Sequence, residues 1–292
     1  MIDKKLTFTN PDLYVKIISN HRFYKDWQVM STAAGLDHKG GFSIMKLDRL
    51  IAVGNSKSVY RDGDLCVKVF NAEYSKADVL NEALNQARIE ETGLNIPKIL
   101  EVTTVDGRWA IVSEYIKGKT LAQLMAAEPE KADEYMELFV DLQLDVHAQS
   151  CPHLNKLRDK LVGKIAESEF EATTRYDLHS RLEEMPKSYK ICHGDFNLSN
   201  VVITKSGVPY ILDWSHATQG NVLADAARTY LLFCMNGDTA GAGRYLDCYC
   251  AKSGADGAQI RKWMPMVAAS LSIKGSEKER EFFRTWVSRN DR

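Results

Sequence analysis

The chain has 292 residues, which is long enough for one large domain or for two lobes that each contain a hydrophobic core. Its 38 Lys and Arg residues nearly balance its 39 Asp and Glu residues, so the overall charge does not favour binding to nucleic acid. No apolar run approaches the roughly 20 residues of a membrane-spanning helix, and the N-terminus lacks the apolar core of a signal peptide, so we expect no membrane partner and a cytoplasmic location.

The first 45 residues have the least regular pattern and are expected to form an N-terminal extension. The pattern predicts a short helix over residues 11–19 and a strand over residues 27–30. An extension packed on the following segment, a regulatory element and a dimerising element are all compatible with this stretch. The sequence does not decide its role.

Two consecutive hairpins are predicted after the extension. Apolar and β-branched runs predict strands over residues 50–53, 58–60 and 65–70, and residues 54–57 and 62–64 form the turns between them. Lys68 lies in the third of these strands between two valines, where an inward-facing cation is costly unless it is paired. The helix predicted over residues 76–91 has a rough apolar face, and Glu82 lies next to that face.

The rest of the chain is mainly helical in pattern, after a strand over residues 109–116 that leads into a connector containing Gly118. The predicted helices are one or two over residues 152–186 and single helices over residues 132–147, 223–233, 238–253, 256–273 and 276–289. The helix over residues 132–147 carries an acidic stripe at intervals of four, formed by Asp133, Glu137, Asp141 and Asp145. A solvated helix face explains the stripe better than a surface that binds a cationic substrate.

The most informative stretch begins at His193 and ends at Trp214. Short strands over residues 201–203 and 210–212 are joined by a turn that contains a glycine, which tolerates positive φ. Asp195 and Asn200 precede the first strand and Asp213 follows the second, so three oxygen-bearing side chains are expected at one end of the hairpin. Mg²⁺ prefers carboxylates, further oxygen ligands and a phosphate, so this arrangement favours a Mg²⁺ site. The alternative interpretation is an ordinary surface hairpin with scattered acidic residues.

The spacing within this stretch is that of a kinase catalytic loop. Asn200 follows Asp195 by the interval of the H-R-D-x-x-x-x-N motif, and a second aspartate follows a hairpin, as in D-F-G. Here the loop contains His-Gly-Asp, Asp213 is followed by Trp214, and residues 224–228 read Ala-Asp-Ala-Ala-Arg. The sequence therefore resembles the aminoglycoside phosphotransferase/choline kinase family, the small-molecule branch of the protein-kinase-like fold, over about residues 50–235.

This resemblance implies an α+β, bilobal protein-kinase-like fold. A β-rich N-lobe is expected over residues 46–117, and a mainly helical C-lobe with the catalytic loop, metal site and acceptor pocket over residues 118–292. The implied activity is transfer of the γ-phosphate of ATP, or of GTP, to a hydroxyl of a small molecule, with Mg²⁺ as cofactor. A small-molecule hydroxyl acceptor is thus the expected partner.

The resemblance also implies roles for the polar residues of the loop and hairpin. Asp195 is the expected catalytic residue, which orients the acceptor hydroxyl and receives its proton. Asn200 and Asp213 are the expected metal ligands. His193 is expected to support the loop, since Gly194 replaces the arginine of protein-kinase loops.

The nucleotide is expected to bind at residues from the hairpins and from the connector. Lys68 would contact the α- and β-phosphates and be held by an ion pair with Glu82, with a surface position as the alternative for Glu82. Backbone groups of the loop around Ser56 would face the β- and γ-phosphates. Backbone groups around Glu114 and Ile116, at the hinge between the lobes, would bind the adenine.

The sequence leaves the roles of two further residues open. His147 either stabilises the end of its helix or packs against the catalytic loop, and Asp225 either caps its helix or supports that loop.

A non-catalytic pseudokinase or scaffold is disfavoured because the lysine, both aspartates and the asparagine are all present. A protein kinase is disfavoured by His-Gly-Asp, by Asp-Trp and by the lack of an A-P-E segment. Acceptor identity (antibiotic, choline-like, sugar or vitamin), nucleotide preference and oligomeric state are not predicted.

Overall fold

An antiparallel sheet forms the first part of the computed structural model, which describes residues 47, 49–54 and 56–288. Its strands are β1 (Arg49–Val53), β2 (Lys57–Asp62), β3 (Leu65–Phe70), β4 (Ile99–Val105) and β5 (Arg108–Glu114). They lie in the order β1-β2-β3-β5-β4, so the hairpins predicted from the sequence are confirmed. The helix and strand predicted within the first 45 residues lie outside the described residues.

The turn between β2 and β3 fixes which side chains share a face of the sheet. Asp62 pairs with Leu65 across a two-residue turn in which Gly63 has a φ of 58°. In this register Lys57 lies opposite Phe70, and Val59 lies opposite Lys68. Because side chains alternate between the two faces of a strand, Lys57 and Lys68 project from the same face.

Helix α1 (Lys76–Glu90) packs on this sheet. It begins where the hydroxyl of Ser75 accepts a hydrogen bond from the backbone N–H of Asp78 at 3.1 Å, an ordinary N-cap. Its buried residues Val79 and Ala83 join Phe70 of β3 and Ile111 of β5 in one apolar cluster. This packing holds α1 against the strand that carries Lys68.

The rest of the described chain is mainly helical, as predicted. Its helices are α2 (Leu121–Ala127), α3 (Ala132–Ala148), α4 (Leu157–Glu167), α5 (Ala172–Glu184), α6 (Val222–Met235), α7 (Thr239–Ser253), α8 (Gly257–Leu271) and α9 (Glu277–Val287). An antiparallel sheet followed by helices confirms the α+β class. Within the described residues, no helix is long and apolar enough to cross a membrane.

Two small sheets connect distant segments of the helical part. β7 (Lys190–Cys192) pairs with β10 (Thr218–Gly220), and the predicted hairpin consists of β8 (Val201–Thr204) and β9 (Pro209–Ile211). A third strand, β6 (Gly118–Thr120), pairs with β8 and was not predicted. A Cβ atom on Gly118 would lie 2.3 Å from the carbonyl oxygen of Ile203, so the close approach of β6 to β8 requires glycine there.

The acidic stripe of α3 faces α7 and is paired with its basic side chains. Lys252 Nζ lies 2.9 Å from Asp141 Oδ1 and 3.6 Å from Glu137 Oε2, and Arg244 lies 4.0 Å from Asp133. These exposed pairs each contribute little to stability. Three of the four carboxylates of the stripe therefore have basic partners on α7, as expected for a solvated helix face.

The core of the helical part is centred on Phe139 of α3, which is fully buried. Its ring centroid lies 4.6 Å from that of Phe196, in the segment between β7 and β8, and 6.0 Å and 6.1 Å from those of Phe233 and Tyr245. Such offset and edge-to-face contacts are favourable aromatic geometries. Phe139 thus joins the loop after β7 to the helices behind it.

We expect Phe139→Ala to lower the free energy of unfolding by about 3–5 kcal/mol, because it leaves a cavity among three aromatic rings. Phe139→Leu should cost distinctly less, since it keeps most of the apolar volume. Chemical denaturation of the two variants and the unchanged protein measures both values. Equal stability of the alanine variant and the unchanged protein would show that the ring does not hold this core together.

Candidate active site

His193 fixes the path of the loop that follows β7. Its ring Nε2 lies 3.0 Å from the carbonyl oxygen of Leu212, and its Nδ1 lies 3.1 Å from the backbone nitrogen of Asp195. A carbonyl can only accept and a backbone N–H can only donate, so the ring is neutral with its proton on Nε2. Burial lowers the pKa of His193, which agrees with a neutral ring. These bonds tie the loop to the end of the β8–β9 hairpin.

Asp225 supports the same loop from inside the protein. Its carboxylate is 3% exposed and accepts hydrogen bonds from the backbone N–H groups of His193 at 3.0 Å and Gly194 at 2.8 Å. Nε2 of His147 lies 3.1 Å from the same carboxylate. Burial alone would raise the pKa of Asp225, but the hydrogen bond from His147 and its charge hold it below its ordinary value.

These contacts decide between the alternatives left open for Asp225 and His147. The N-cap of α6 is Asn221, whose side chain accepts a hydrogen bond from the backbone N–H of Leu223. A capping role for Asp225 is therefore wrong, and Asp225 and His147 together form a buried support for the loop.

The backbone of Gly194 lies close to His216. Its φ is 78°, in the left-handed region that favours glycine. A Cβ atom at this position would lie 2.6 Å from the carbonyl oxygen of His216. The glycine next to Asp195 thus meets both a conformational and a steric requirement.

Asn200 holds the carboxyl group of Asp195 in place. Nδ2 of Asn200 donates to the backbone carbonyl of Asp195 at 2.9 Å and to its Oδ2 at 3.0 Å. The amide oxygen of Asn200 takes no part in these bonds, so it is turned away from Asp195. Burial raises the pKa of Asp195, although the charge of Arg228 opposes this effect. A half-buried aspartate with a raised pKa is a stronger base than an ordinary one.

Asp213, at the end of the hairpin, meets the side chains of the sheet. It has a φ of 60°, which aspartate tolerates better than most residues. Lys68 Nζ lies 3.3 Å from Oδ1 of Asp213 and 3.0 Å from Oε1 of Glu82. Glu82 is 4% exposed, so the surface position is wrong and the structure contains the ion pair with Lys68. Burial disfavours a charged ammonium, but Asp213 and Glu82 raise the pKa of Lys68 above its ordinary value.

A second lysine, which the sequence analysis placed in a loop, reaches the same carboxylates. Nζ of Lys57 lies 2.8 Å from Oε1 of Glu82 and 3.2 Å from Oδ1 of Asp213. Burial would raise the pKa of Asp213, but the ammonium groups of Lys68 and Lys57 hold it well below its ordinary value. The two-residue turn between β2 and β3 was the available signal, because its register places both lysines on one face.

The residues expected around the nucleotide lie along the edge of this region. The carbonyl of Ser56, next to Lys57, accepts a hydrogen bond from the backbone N–H of Asn71 at 2.9 Å. Glu114 ends β5, and its Oε2 accepts from the backbone N–H of Lys98 at 3.0 Å. Ile116 lies in the segment between β5 and β6. Their proposed contacts with a nucleotide stay predictions.

Comparison with known proteins places this chain in a family. The sequence matches the phosphotransferase enzyme family over residues 49–263, and the chain belongs to this family. This range contains both lysines, Glu82, Asp195, Asn200 and Asp213. No curated protein sequence matches the chain.

Solved structures with the same fold include choline kinases and an aminoglycoside phosphotransferase. The choline kinase LicA from Streptococcus pneumoniae is 15% identical, with a TM-score of 0.61 and coverage of 90% of this chain and 96% of that chain. A choline/ethanolamine kinase family protein from Mesorhizobium loti is 16% identical, with a TM-score of 0.59 and coverage of 90% and 94%. A thermostable mutant of aminoglycoside phosphotransferase APH(4)-Ia, crystallised with AMP-PNP and hygromycin B, is 15% identical, with a TM-score of 0.62 and coverage of 89% and 96%. The protein-kinase-like fold expected from the sequence is confirmed.

We expect Gly194→Ala to cost at least about 1–3 kcal/mol of stability, because alanine must adopt positive φ. The clash with the carbonyl of His216 should also displace Asp195 and reduce nucleotide-dependent turnover. Thermal unfolding and an ADP-release assay measure the two effects. Gly207→Ala is the matched control, since Gly207 also has positive φ but no atom within 4 Å of its Cβ position. Similar losses of turnover in the two variants would contradict the steric explanation.

Proposed function

We propose that this protein is a kinase that transfers the γ-phosphate of ATP, or of GTP, to a hydroxyl group of a small molecule. The observation that supports this most directly is the 3.3 Å contact between Lys68 Nζ and Oδ1 of Asp213. This contact brings the lysine of the sheet close to the aspartate of the hairpin. In phosphoryl transfer the nucleotide phosphates need a cation on one side and a metal ligand on the other. The membership in a phosphotransferase family is consistent with this reaction.

The donor set at the end of the hairpin fits Mg²⁺. Asp213 offers a carboxylate that is kept ionised by its two ammonium neighbours, and the amide oxygen of Asn200 is turned away from Asp195. These hard oxygen ligands are of the kind that Mg²⁺ uses together with phosphate oxygens and water. Asp213 and Asn200 would hold Mg²⁺, which would supply positive charge against the negative charge that develops during transfer.

Asp195 is the proposed catalytic residue. Its carboxyl group is half-buried, held by Asn200 at 3.0 Å, and has a raised pKa, so it is oriented and basic enough to accept a proton. It would position the acceptor hydroxyl and receive the proton late, because the loose transition state of phosphoryl transfer needs little early base assistance.

The remaining residues would bind and orient the nucleotide. Lys68, held by Glu82, would contact the α- and β-phosphates. Backbone groups near Ser56 would face the phosphates, and those near Glu114 and Ile116 would bind the base. The side chain of Glu114 accepts from the backbone of Lys98, and the backbone N–H groups of Glu114 and Tyr115 donate to Lys98 and Asp64, so the proposed contact with the base would use other backbone groups of this segment.

We expect Asp195→Asn to reduce turnover by about 10²–10⁴-fold, because asparagine cannot accept the hydroxyl proton. Binding of Mg·ATP should change little, since the phosphate and metal ligands are intact. The assay follows ADP release from Mg·ATP with aminoglycosides, macrolides, choline, thiamine and simple sugars, beside calorimetric nucleotide binding. Asp177→Asn, on the exposed face of α5, is the matched control.

Either outcome of this assay is informative. Release of ADP that depends on an acceptor and is lost only in Asp195→Asn would establish the kinase. Turnover of the variant near the normal rate would show that Asp195 is not the base. Nucleotide binding without turnover for every acceptor would favour a non-catalytic nucleotide-binding protein.

A second prediction concerns the charge balance at Asp213. Lys57→Met leaves one ammonium group for two carboxylates, so we expect a loss of about 1–2 kcal/mol of stability without metal. Added Mg²⁺ supplies the missing positive charge, so it should raise the melting temperature of Lys57→Met more than that of the unchanged protein. Lys205→Met, in the exposed turn of the β8–β9 hairpin, is the control. Equal Mg²⁺ shifts in all three proteins would rule out this charge compensation.

A further inference from the structure

A small cavity lies between the catalytic loop and the helices of the C-terminal part. Its wall includes Gly194, which precedes Asp195 in the loop, and Asp225 of α6, which supports that loop. Basic and hydroxyl side chains line the rest of its polar surface. They are Lys160 of α4, Arg228 of α6, Ser270 of α8, His216 and Thr218.

Two polar groups that line this cavity are buried without a hydrogen-bond partner among the described residues. One is Nε of Arg228, and the other is Oγ1 of Thr218, a residue that is 2% exposed. A buried polar group without a partner costs free energy comparable to a lost hydrogen bond. Such groups are completed by a bound water molecule or by a ligand, and both line the same cavity.

The cations at this cavity form no direct ion pair among the described residues, although the charges of Asp195 and Asp225 act on Arg228. Burial and the charges of Arg228, Lys164 and Lys274 lower the pKa of Lys160 to about 7, although Asp225 opposes this effect. Asp225 already accepts hydrogen bonds from His193, Gly194 and His147. Lys160 Nζ itself donates to the backbone carbonyl of His216 at 3.2 Å, which provides no opposite charge. An anion in the cavity would relieve this repulsion.

We propose that this cavity is the subsite for an anionic group of the acceptor, so that the acceptor is a hydroxyl compound bearing a phosphate or a carboxylate. The forked guanidinium of Arg228 suits two oxygens of such a group, Lys160 adds a point charge, and Thr218 adds a hydroxyl donor. Gly194 in the cavity wall is the neighbour of Asp195, so a bound anion lies close to the proposed base. The assignment of the anion to an acceptor rests on the proposed kinase function, whereas the anion site itself is argued from its own contacts.

The proposed site for the nucleotide phosphates uses a different set of cations. Lys57 and Lys68 project from the sheet toward Glu82 and Asp213, and neither lines this cavity. Lys57 and Lys68 form direct ion pairs with those carboxylates, whereas Asp195 and Asp225 act on Arg228 without an ion pair among the described residues. Three of the four carboxylates of the α3 stripe are paired with basic residues of α7, which disfavours the stripe as a site for a cationic acceptor.

The first experiment measures anion binding apart from activity. Inorganic phosphate is added to the protein with Mg²⁺ and a non-hydrolysable ATP analogue present, so that the nucleotide site is already filled. We expect phosphate to raise the melting temperature, and Lys160→Gln and Arg228→Gln each to reduce that rise by at least half. Arg228→Lys should restore part of it, because it keeps the charge but not the forked geometry. Lys205→Gln is the surface control.

The second experiment compares acceptors that differ in one group. ADP release from Mg·ATP is measured with glycerol, glycerol 3-phosphate and glycerate, and with glucose, glucose 6-phosphate and gluconate. We expect kcat/KM to be at least about tenfold higher for the phosphate or the carboxylate compound than for its neutral parent, equivalent to one favourable charged contact. Which anionic series is favoured separates phosphate from carboxylate. Lys160→Gln and Arg228→Gln should raise KM for the favoured compound more than they lower kcat.

The outcomes separate this inference from the kinase function. No melting-temperature rise with phosphate, or a rise unchanged in Lys160→Gln and Arg228→Gln, overturns the anion subsite. Turnover that is lost in Asp195→Asn but favours neutral or cationic acceptors also overturns it while the kinase function stands. A rise that depends on both residues, without turnover of any acceptor, supports the anion site and counts against the kinase.

Discussion

The geometry of the site depends on one set of ion pairs, in which two lysines share two carboxylates. Lys57 and Lys68 come from neighbouring strands, Glu82 comes from the helix packed on the sheet, and Asp213 comes from the distant hairpin. Isolated charges at this depth would be costly, so each group depends on the others for its ionised form. The sheet and the hairpin are therefore joined by an electrostatic contact at the place where a nucleotide would need both. A lysine and an aspartate already 3.3 Å apart need little rearrangement to hold the two sides of a phosphate chain.

The opposite side of the catalytic loop is held by hydrogen bonds rather than by exchangeable ions. Asp225 accepts from two successive backbone N–H groups and from His147, and His193 connects the loop to Leu212. All of these groups are buried, so water cannot replace a lost partner and the loop has one well-defined path. Gly194 completes this arrangement because its positive φ turns the chain toward Asp225. These buried contacts hold the backbone of His193 and Gly194, while Asp195 and Asn200 lie half-buried on the same loop.

Most of the fold and the central residues of the site could be predicted from local patterns. The hairpin with its glycine turn, the interval between Asp195 and Asn200, and the helical periodicity all depend on residues close together in sequence. Lys57 was missed because it was assigned to a loop, although the register implied by the turn at Gly63 places it beside Lys68. Strand β6 and the salt bridges of the α3 stripe were missed for a different reason. Their partners, Val202 and Lys252, are remote in the chain, and no local pattern reports which segments will meet.

The two sides of Asp195 differ in how their charges are balanced, and this difference bears on what each side binds. On the side proposed for the nucleotide, two ammonium groups meet two carboxylates, so Mg²⁺ and a polyphosphate would together add little net charge there. On the other side, the charges of Asp195 and Asp225 act on Arg228, and Asp225 already accepts hydrogen bonds from the backbone N–H groups of His193 and Gly194. Burial lowers the pKa of the Arg228 guanidinium, but a guanidinium still stays charged. The arginine and the lysine next to the proposed base are therefore the basis on which we propose an anionic acceptor on this side.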